Sequence, residues 1–197
     1  MKIILFDQRT ELASAWKEAF ADESSVEVTT EDFRTLVCDA IVSPANSFGY
    51  MDGGLDLALS DYLGWDVQKR LQKMIQERPM GELLVGDALL VPTLRSNPRW
   101  VVSAPTMRVP MRVKQSVNAY LAMKALLIAC RDHSERIDSV AVPGLATGVG
   151  GLAPQLAAHQ MHVAYREVML GAREFPTSIG QAQQRHIRLN TSANLSG

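Results

Sequence analysis

The sequence predicts an α/β fold with a largely parallel sheet, and three observations predict it. Short apolar runs alternate with stretches whose apolar residues recur at helical spacing. Two loops rich in glycine and other small residues each follow a strand and lead into a helix, where sheets of this kind bind ligands. The 197 residues are 47% hydrophobic and 21% charged, the balance of a soluble globular domain, and a chain of that size buries a core without disulfides or a structural metal.

The elements follow in order. Residues 3–6 are a continuous apolar run, the pattern of a strand covered on both faces. Leu12, Ala15, Trp16, Ala19 and Phe20 then recur at helical spacing, with Thr10 as candidate N-cap. Residues 26–30 are short and β-branched, so they read as a strand. Residues 39–42 form a third strand that ends at Pro44, which has no N–H to give a ladder. Leu55, Ala58, Leu59, Tyr62 and Leu63 mark one helix, Gly64 interrupts it, and Val67, Leu71, Met74 and Ile75 mark another. Residues 88–91 and 100–103 are strands flanking a polar turn at Arg95-Ser96-Asn97-Pro98. Residues 116–130 form a largely apolar, hence buried, helix; 139–142 a strand; and 154–169 the last helix. Residues 1–170 therefore read as a single domain. The polar residues 171–197 read as an extension, a surface strand plus a frayed end.

Composition excludes several classes of function. Twenty basic residues against 21 acidic ones give a net charge of −1, which rules out a generally basic nucleic-acid coat protein. Cys38 and Cys130 are too few for a disulfide scaffold and too isolated for a zinc site, so both read as reduced core thiols. No apolar run approaches the roughly 20 residues of a membrane span, and the start of the chain reaches Asp7 after four apolar residues, without a signal-peptide core. The expected location is the cytoplasm. His159 and His162 lie three apart on a helix, yet no third ligand is evident, so no metal and no other cofactor is expected.

The first loop, residues 43–56, reads SPANSFGYMDGGLD, and the second, residues 143–151, reads PGLATGVGG. Glycines let a backbone approach a ligand and turn its N–H groups inward, and the following helix adds partial positive charge. Two such loops facing one cleft suit a pyrophosphate. Neither is a Walker A loop, and neither fits the dinucleotide fingerprint GxGxxG.

These segments resemble a known family. Asp39-Ala40-Ile41-Val42-Ser43-Pro44-Ala45-Asn46 is similar to the macrodomain signature D-A-I-V-N-A-A-N, Asp52-Gly53-Gly54-Leu55-Asp56 to its G-G-G-V-D, and Ala146-Thr147-Gly148-Val149-Gly150-Gly151 to its S-T-G-x-Y-G. The resemblance runs in order over residues 26–170. It implies a three-layer α/β/α macrodomain-like fold with a mixed, largely parallel central sheet, and binding of ADP-ribose or a derivative. It also implies that Asp32 accepts a hydrogen bond from the adenine amine and that Phe33 offers its backbone N–H to the ring. Asn46 would meet the distal ribose. Gly53, Gly54 and Leu55 would run along the diphosphate, with Thr147, Gly148, Val149 and Gly150 closing over it. Asp56, with Asn46 beside it, stands where family members that hydrolyse ADP-ribosyl bonds place their aspartate. The partner implied is ADP-ribose or an ADP-ribosylated substrate, with nucleic acid only as a modified substrate.

The chain departs from the family at four positions. Ser43-Pro44 replaces Asn-Ala, Asp52 replaces a glycine near an anionic ligand, and Gly150 replaces an aromatic, which predicts a wider pocket that Phe48 or Tyr50 would fill. Arg108, Arg112 and Lys114 form a basic stretch, read either as a solvated loop or as part of the cleft mouth. Two functions remain open on the sequence: a hydrolase acting on an ADP-ribosyl bond or ADP-ribose phosphate, and a non-catalytic reader using the same cleft.

Overall fold

In strand β1 (Lys2–Phe6), Ile3 and Leu5 point to one side of the sheet and Ile4 and Phe6 to the other, and all four are at most 5% exposed. The same period-two alternation runs through β3 (Ala40–Ser43), β5 (Trp100–Ser103) and β6 (Ser139–Pro143), so the sheet has two dry faces. One face carries Leu12 and Trp16 of α1 (Thr10–Ala19), Met123 and Leu126 of α4 (Asn118–Arg131), and Met161 and Ala164 of α5 (Pro154–Met169). The other carries Leu59 and Leu63 of α2 (Gly54–Leu63), Val67, Leu71 and Ile75 of α3 (Asp66–Gln76), and Phe33 of a 3-10 turn at Phe33–Thr35. The result is three layers, α/β/α. The computed structural model describes residues 1–191.

Together with β2 (Val26–Thr29) and β4 (Leu89–Pro92), these strands make, among the described residues, a six-stranded sheet in the order β2-β1-β6-β3-β5-β4. Every neighbouring pair is parallel except β4–β5, so the sheet is mixed and largely parallel. β1 pairs with β6 over five positions, but β3 pairs with β6 only at Ala40↔Val140 and Ile41↔Ala141. Asp39 holds that short seam from below. Its carboxylate accepts bonds from Asp138 N (2.9 Å), Ser139 N (3.0 Å), Ser139 Oγ (2.9 Å) and Arg99 Nη2 (2.7 Å).

Two readings of the sequence are corrected here. Thr10 is the first residue of α1 rather than its cap; Arg9 takes the N-cap position, and Asp7 Oδ1 accepts its N–H at 2.9 Å. Residues 171–197 were expected to form a surface strand and a frayed end, but a helix, α6 (Ile179–Asn190), forms there. The reason is local capping: Ser178 Oγ accepts from Gln181 N, and Gln181 Oε1 accepts in return from Thr177 N at 2.9 Å. Helix α6 buries no residue; it hangs on α5 through His159 Nε2 and the Arg188 carbonyl (3.0 Å) and through Gln160 Nε2 donating to the Leu189 carbonyl (3.1 Å). The remainder of the expected extension, residues 192–197, lies outside the described residues.

Cys38 and Cys130 are both buried, and burial pushes their thiols up to about 11 and about 12.

These contrasts set stabilities. Deleting residues 174–197 removes, among the described residues, two hydrogen bonds to the body and no core residue, so it should cost about 1–2 kcal/mol. Leu126→Ala, in the middle of the larger core, should cost about 2–5 kcal/mol. Urea unfolding of the two variants checks the order; a truncation as damaging as Leu126→Ala would make α6 integral to the fold.

Candidate functional site

The strands β3 and β6 are neighbours, so the loops that follow them face each other across the carboxyl end of the sheet. Between them lies a cleft of about 380 Å³ whose walls include Asn46, Asp52, Gly53–Asp56 in sequence, and Thr147–Gly150 in sequence. A larger cavity of about 650 Å³ lies between α4, α5 and α6; Lys124 meets Glu167 there at 2.7 Å and Arg185 pairs with Glu174, and Arg173 and Arg188 also line it. The glycine loops and the candidate catalytic acid Asp56 are in the smaller one.

The first loop is locked from inside. Asn46 Nδ2 donates to the Tyr50 carbonyl (2.8 Å), and Asn46 Oδ1 accepts from Phe48 N (3.1 Å) and Tyr50 N (3.3 Å). Gly49 sits at φ +69°, and a Cβ there would lie 2.9 Å from Leu71 and Ile75, so only glycine fits. Met51 is fully buried, with its N–H given to Gln68 Oε1 (2.6 Å) and its carbonyl accepting from Ser60 Oγ (2.8 Å). The chain then enters α2, whose first turn carries Asp56.

Asp56 lines the cleft, and Ser43 Oγ donates to its Oδ1 at 2.6 Å. Burial pushes the Asp56 carboxyl up to about 6; the Ser43 bond works against that rise and the charge of Asp52 adds to it. Ser43 itself is fully buried at the end of β3. Sequence reasoning saw in Ser43 only a missing asparagine, whereas it is the direct partner of Asp56.

In the second loop, Gly148 lines the cleft, and a Cβ on it would meet nothing within 4 Å, so there is open space for a side chain. Gly150 is different. A Cβ on it would stand 2.5 Å from the Ala146 carbonyl and 2.8 Å from Val113 Cγ2. The wider pocket expected from the lost aromatic is therefore not what glycine provides here: in this loop a side chain at 150 would run into backbone and Val113. Of the two rings considered, Tyr50 lines the cleft, while Phe48 lies under the Arg108 guanidinium at 5.0 Å.

Asp32 and Phe33 are not in this cleft but in an adjoining cavity of about 340 Å³, which shares Arg9 and Leu55 with it. Asp32 is already paired: Oδ1 accepts from Arg34 N (2.9 Å) and Nε (2.8 Å), and Oδ2 from Arg34 Nη2 (2.8 Å). These bonds from Arg34 hold its carboxyl below the ordinary carboxylate value. Phe33 packs against Phe6 and Tyr62.

Arg9 was missed by the sequence reading. It follows β1 directly, lines both cavities, and reaches across to Thr147, donating to its carbonyl (3.1 Å) and Oγ1 (2.7 Å). The available signal was Asp7-Gln8-Arg9 at the carboxyl end of the first strand, a position where α/β sheets bind ligands. In the basic stretch, Arg108 pairs with Glu82 at the Glu82 Oε2 distance of 2.9 Å, and Arg112 Nη1 donates to the Val149 carbonyl (3.1 Å), so it props the second loop. His159 and His162 turn to different partners, the Arg188 carbonyl and Glu23 (2.9 Å). Among the described residues, no three His, Cys, Asp or Glu side chains are grouped to hold a metal, and no helix is long and apolar enough to cross a membrane.

Comparison with known proteins supplies a context for this geometry. The family model described as Macro domain matches residues 42–161. A protein of Aeropyrum pernix is 33% identical over 138 residues, covering 70% of this chain and 68% of its own. Among solved structures, the macrodomain of Mycobacterium tuberculosis DarG superposes with a TM-score of 0.61 at 22% identity, over 71% of this chain and 88% of that one. A point variant of the Oceanobacillus iheyensis macrodomain with ADPR gives 0.62 at 18% identity, over 81% and 89%. At those identities the two structures speak for the fold alone.

The Asp56 carboxyl makes stability depend on pH in a defined sense. Its folded value of about 6 lies above the ordinary 3.8, so between those values the folded chain holds a proton that the unfolded chain has released. Stability therefore falls as pH rises through that window. Asp56→Asn, which keeps an acceptor for Ser43 but carries no charge, should stabilise the protein by up to about 3 kcal/mol above pH 6. The gain should vanish below about pH 4, where both states are protonated. Urea unfolding at acidic and neutral pH measures it; a gain independent of pH would mean that the fold does not raise the Asp56 carboxyl.

Proposed function

The chain belongs to the Macro domain family, and we propose that its cleft binds ADP-ribose and hydrolyses an ADP-ribosyl bond. The observation that carries the hydrolytic part is the Asp56 carboxyl, fixed by Ser43 between two glycine loops that leave the neighbouring backbone bare.

The ligand runs from one cavity into the other. Adenine enters beside Asp32 and Phe33, whose cavity is continuous with the cleft through Arg9 and Leu55. A carboxylate has about four acceptor sites, and Arg34 uses three at Asp32, leaving one on Oδ2 for an exocyclic amine. The diphosphate lies along Gly53, Gly54 and Leu55 under Thr147, Gly148, Val149 and Gly150, with the N-terminus of α2 adding favourable charge. The distal ribose then sits by Asn46, Tyr50 and Asp56. Asn46 spends both ends of its amide on its own loop and keeps one Nδ2 hydrogen for a sugar hydroxyl.

At neutral pH a carboxyl with a value of about 6 is mostly ionised, which suits a base. Asp56 takes a proton from a water as the water oxygen bonds to the anomeric carbon. The bond from that carbon to the leaving group breaks with its electron pair, and the leaving group then takes up a proton. Free ADP-ribose is the product. ADP-ribose phosphate fits the same geometry. The Asp52 charge favours the second reading, a non-catalytic reader, because it opposes an anionic ligand at the reacting end. The buried thiols and the lack of a membrane-crossing helix among the described residues agree with a place in the cytoplasm.

Calorimetry with ADP-ribose is the first test. Gly148→Glu, whose side chain enters the open cleft, should abolish binding while leaving the fold intact; undiminished affinity would move the diphosphate elsewhere. Asp56→Ala should keep ADP-ribose affinity within about tenfold yet slow its release from a conjugate by roughly a hundredfold or more. The panel comprises carboxylate-linked, serine-linked, nucleic-acid-linked and 1″-phosphate ADP-ribose. A parent protein that binds ADP-ribose and turns over none of the four is a reader.

A further inference from the structure

The charged side chains lining the cleft among the described residues are Arg9, Asp52 and Asp56. Two carboxylates facing one cation is a poor setting for a ligand that brings two more negative charges. Backbone N–H groups and a helix end offset part of that repulsion, but Arg9 is the one full positive charge in this wall. Its position is equally specific. Arg9 and Leu55 are the two residues shared by the cleft and the adjoining cavity, so the guanidinium stands at the junction, where a molecule spanning both must pass.

The guanidinium is also held in advance. Asp7 takes Arg9 Nε at Oδ1 (2.9 Å) and Nη2 at Oδ2 (2.7 Å), and Thr147 takes Nη2 at Oγ1 (2.7 Å) and Nη1 at its carbonyl (3.1 Å). A guanidinium has five N–H donors. Four are engaged, and one on Nη1 has no acceptor among the described residues. Arg34, the other arginine of the adjoining cavity, is paired with a carboxylate in the same way, through Asp32, but it does not line the cleft.

We propose that Arg9 is the phosphate-recognising side chain of the cleft and makes it select a diphosphate-bearing ligand over an uncharged nucleoside. The proposal rests on the reading of the cleft as an ADP-ribose site and gives that site a determinant of specificity outside the two glycine loops. Asp7 fixes the plane of the fork, and Thr147 carries the second loop to it, so a phosphate oxygen entering the junction meets a donor whose orientation is already set. The competing role is mechanical: Arg9 fastens the second loop and never touches the ligand.

Titrating the full chain with ADP-ribose, adenosine and inorganic pyrophosphate separates these roles, by calorimetry for tight ligands and by chemical-shift titration for weak ones. Arg9→Gln should weaken ADP-ribose and pyrophosphate roughly ten- to a hundredfold, the equivalent of one charge-assisted hydrogen bond. Adenosine binding should stay the same, and the salt dependence of ADP-ribose binding should flatten. Arg9→Lys should recover part of the loss, because it restores the charge but not the fork. Equal weakening of ADP-ribose and adenosine in Arg9→Gln would reduce Arg9 to a fastener and overturn the proposal, as would no weakening at all. A parent that ignores ADP-ribose but takes pyrophosphate through Arg9 sinks the ADP-ribose reading and upholds the role of Arg9. A parent that takes neither overturns both.

Discussion

The cleft depends on how little of β3 and β6 is paired. Two strands joined along their whole length would bring their following loops together over a closed seam. Here the ladder holds only Ala40 and Ile41 against Val140 and Ala141, and so short a seam needs reinforcement. Asp39 supplies it from the opposite end, with one carboxylate gathering the backbone at 138–139, the Ser139 hydroxyl and Arg99. Burial alone would raise that carboxyl, yet the bonds from Arg99 and Ser139 prevail and hold it below its ordinary value, so the clamp stays ionised. Asp39 thus stands at the opposite end of β3 from the cleft and shapes the cleft by keeping two strands adjacent at their base.

Electrostatics in the cleft is divided between two kinds of group. Backbone N–H groups in the glycine loops carry small fixed charges that cost nothing to orient at the moment of binding. Side chains carry whole charges, and their signs conflict: Asp52 and Asp56 against Arg9. Burial and the charge of Asp52 raise the Asp56 carboxyl, at a cost in folding stability near neutral pH. Such a cost at a site while the cores are well packed is the usual distribution of strain in an enzyme or binding protein.

The fold was legible because its strands are short apolar runs with two buried faces and its helices keep a clear period; α5 was bounded correctly at both ends by Pro154 and the loss of period after Met169. Helix α6 was not legible from hydrophobicity, because it buries nothing. Its signal was Thr177, Ser178 and Gln181, a capping pattern rather than an apolar stripe. At the site, backbone-dominated features could be read from glycines, but side-chain pairings across long sequence distance could not. Ser43 meets Asp56 thirteen residues away, and Arg9 meets Thr147 138 residues away. No local pattern records either. Gly150 shows the opposite error: the type of residue was visible in the sequence, but the direction a Cβ there would take, into the Ala146 carbonyl and Val113, was a property of the fold.

The closed circuit within the first loop has a thermodynamic consequence. With the Asn46 amide bonded to Phe48 and Tyr50, and Gly49 wedged over Leu71 and Ile75, the loop has one shape before anything arrives. A partner entering the cleft therefore need not order this segment, and the entropic penalty of association falls mainly on the partner's own torsions. Heat-capacity changes on association should consequently track the apolar surface of the small molecule that is covered, with little added by folding of the polypeptide.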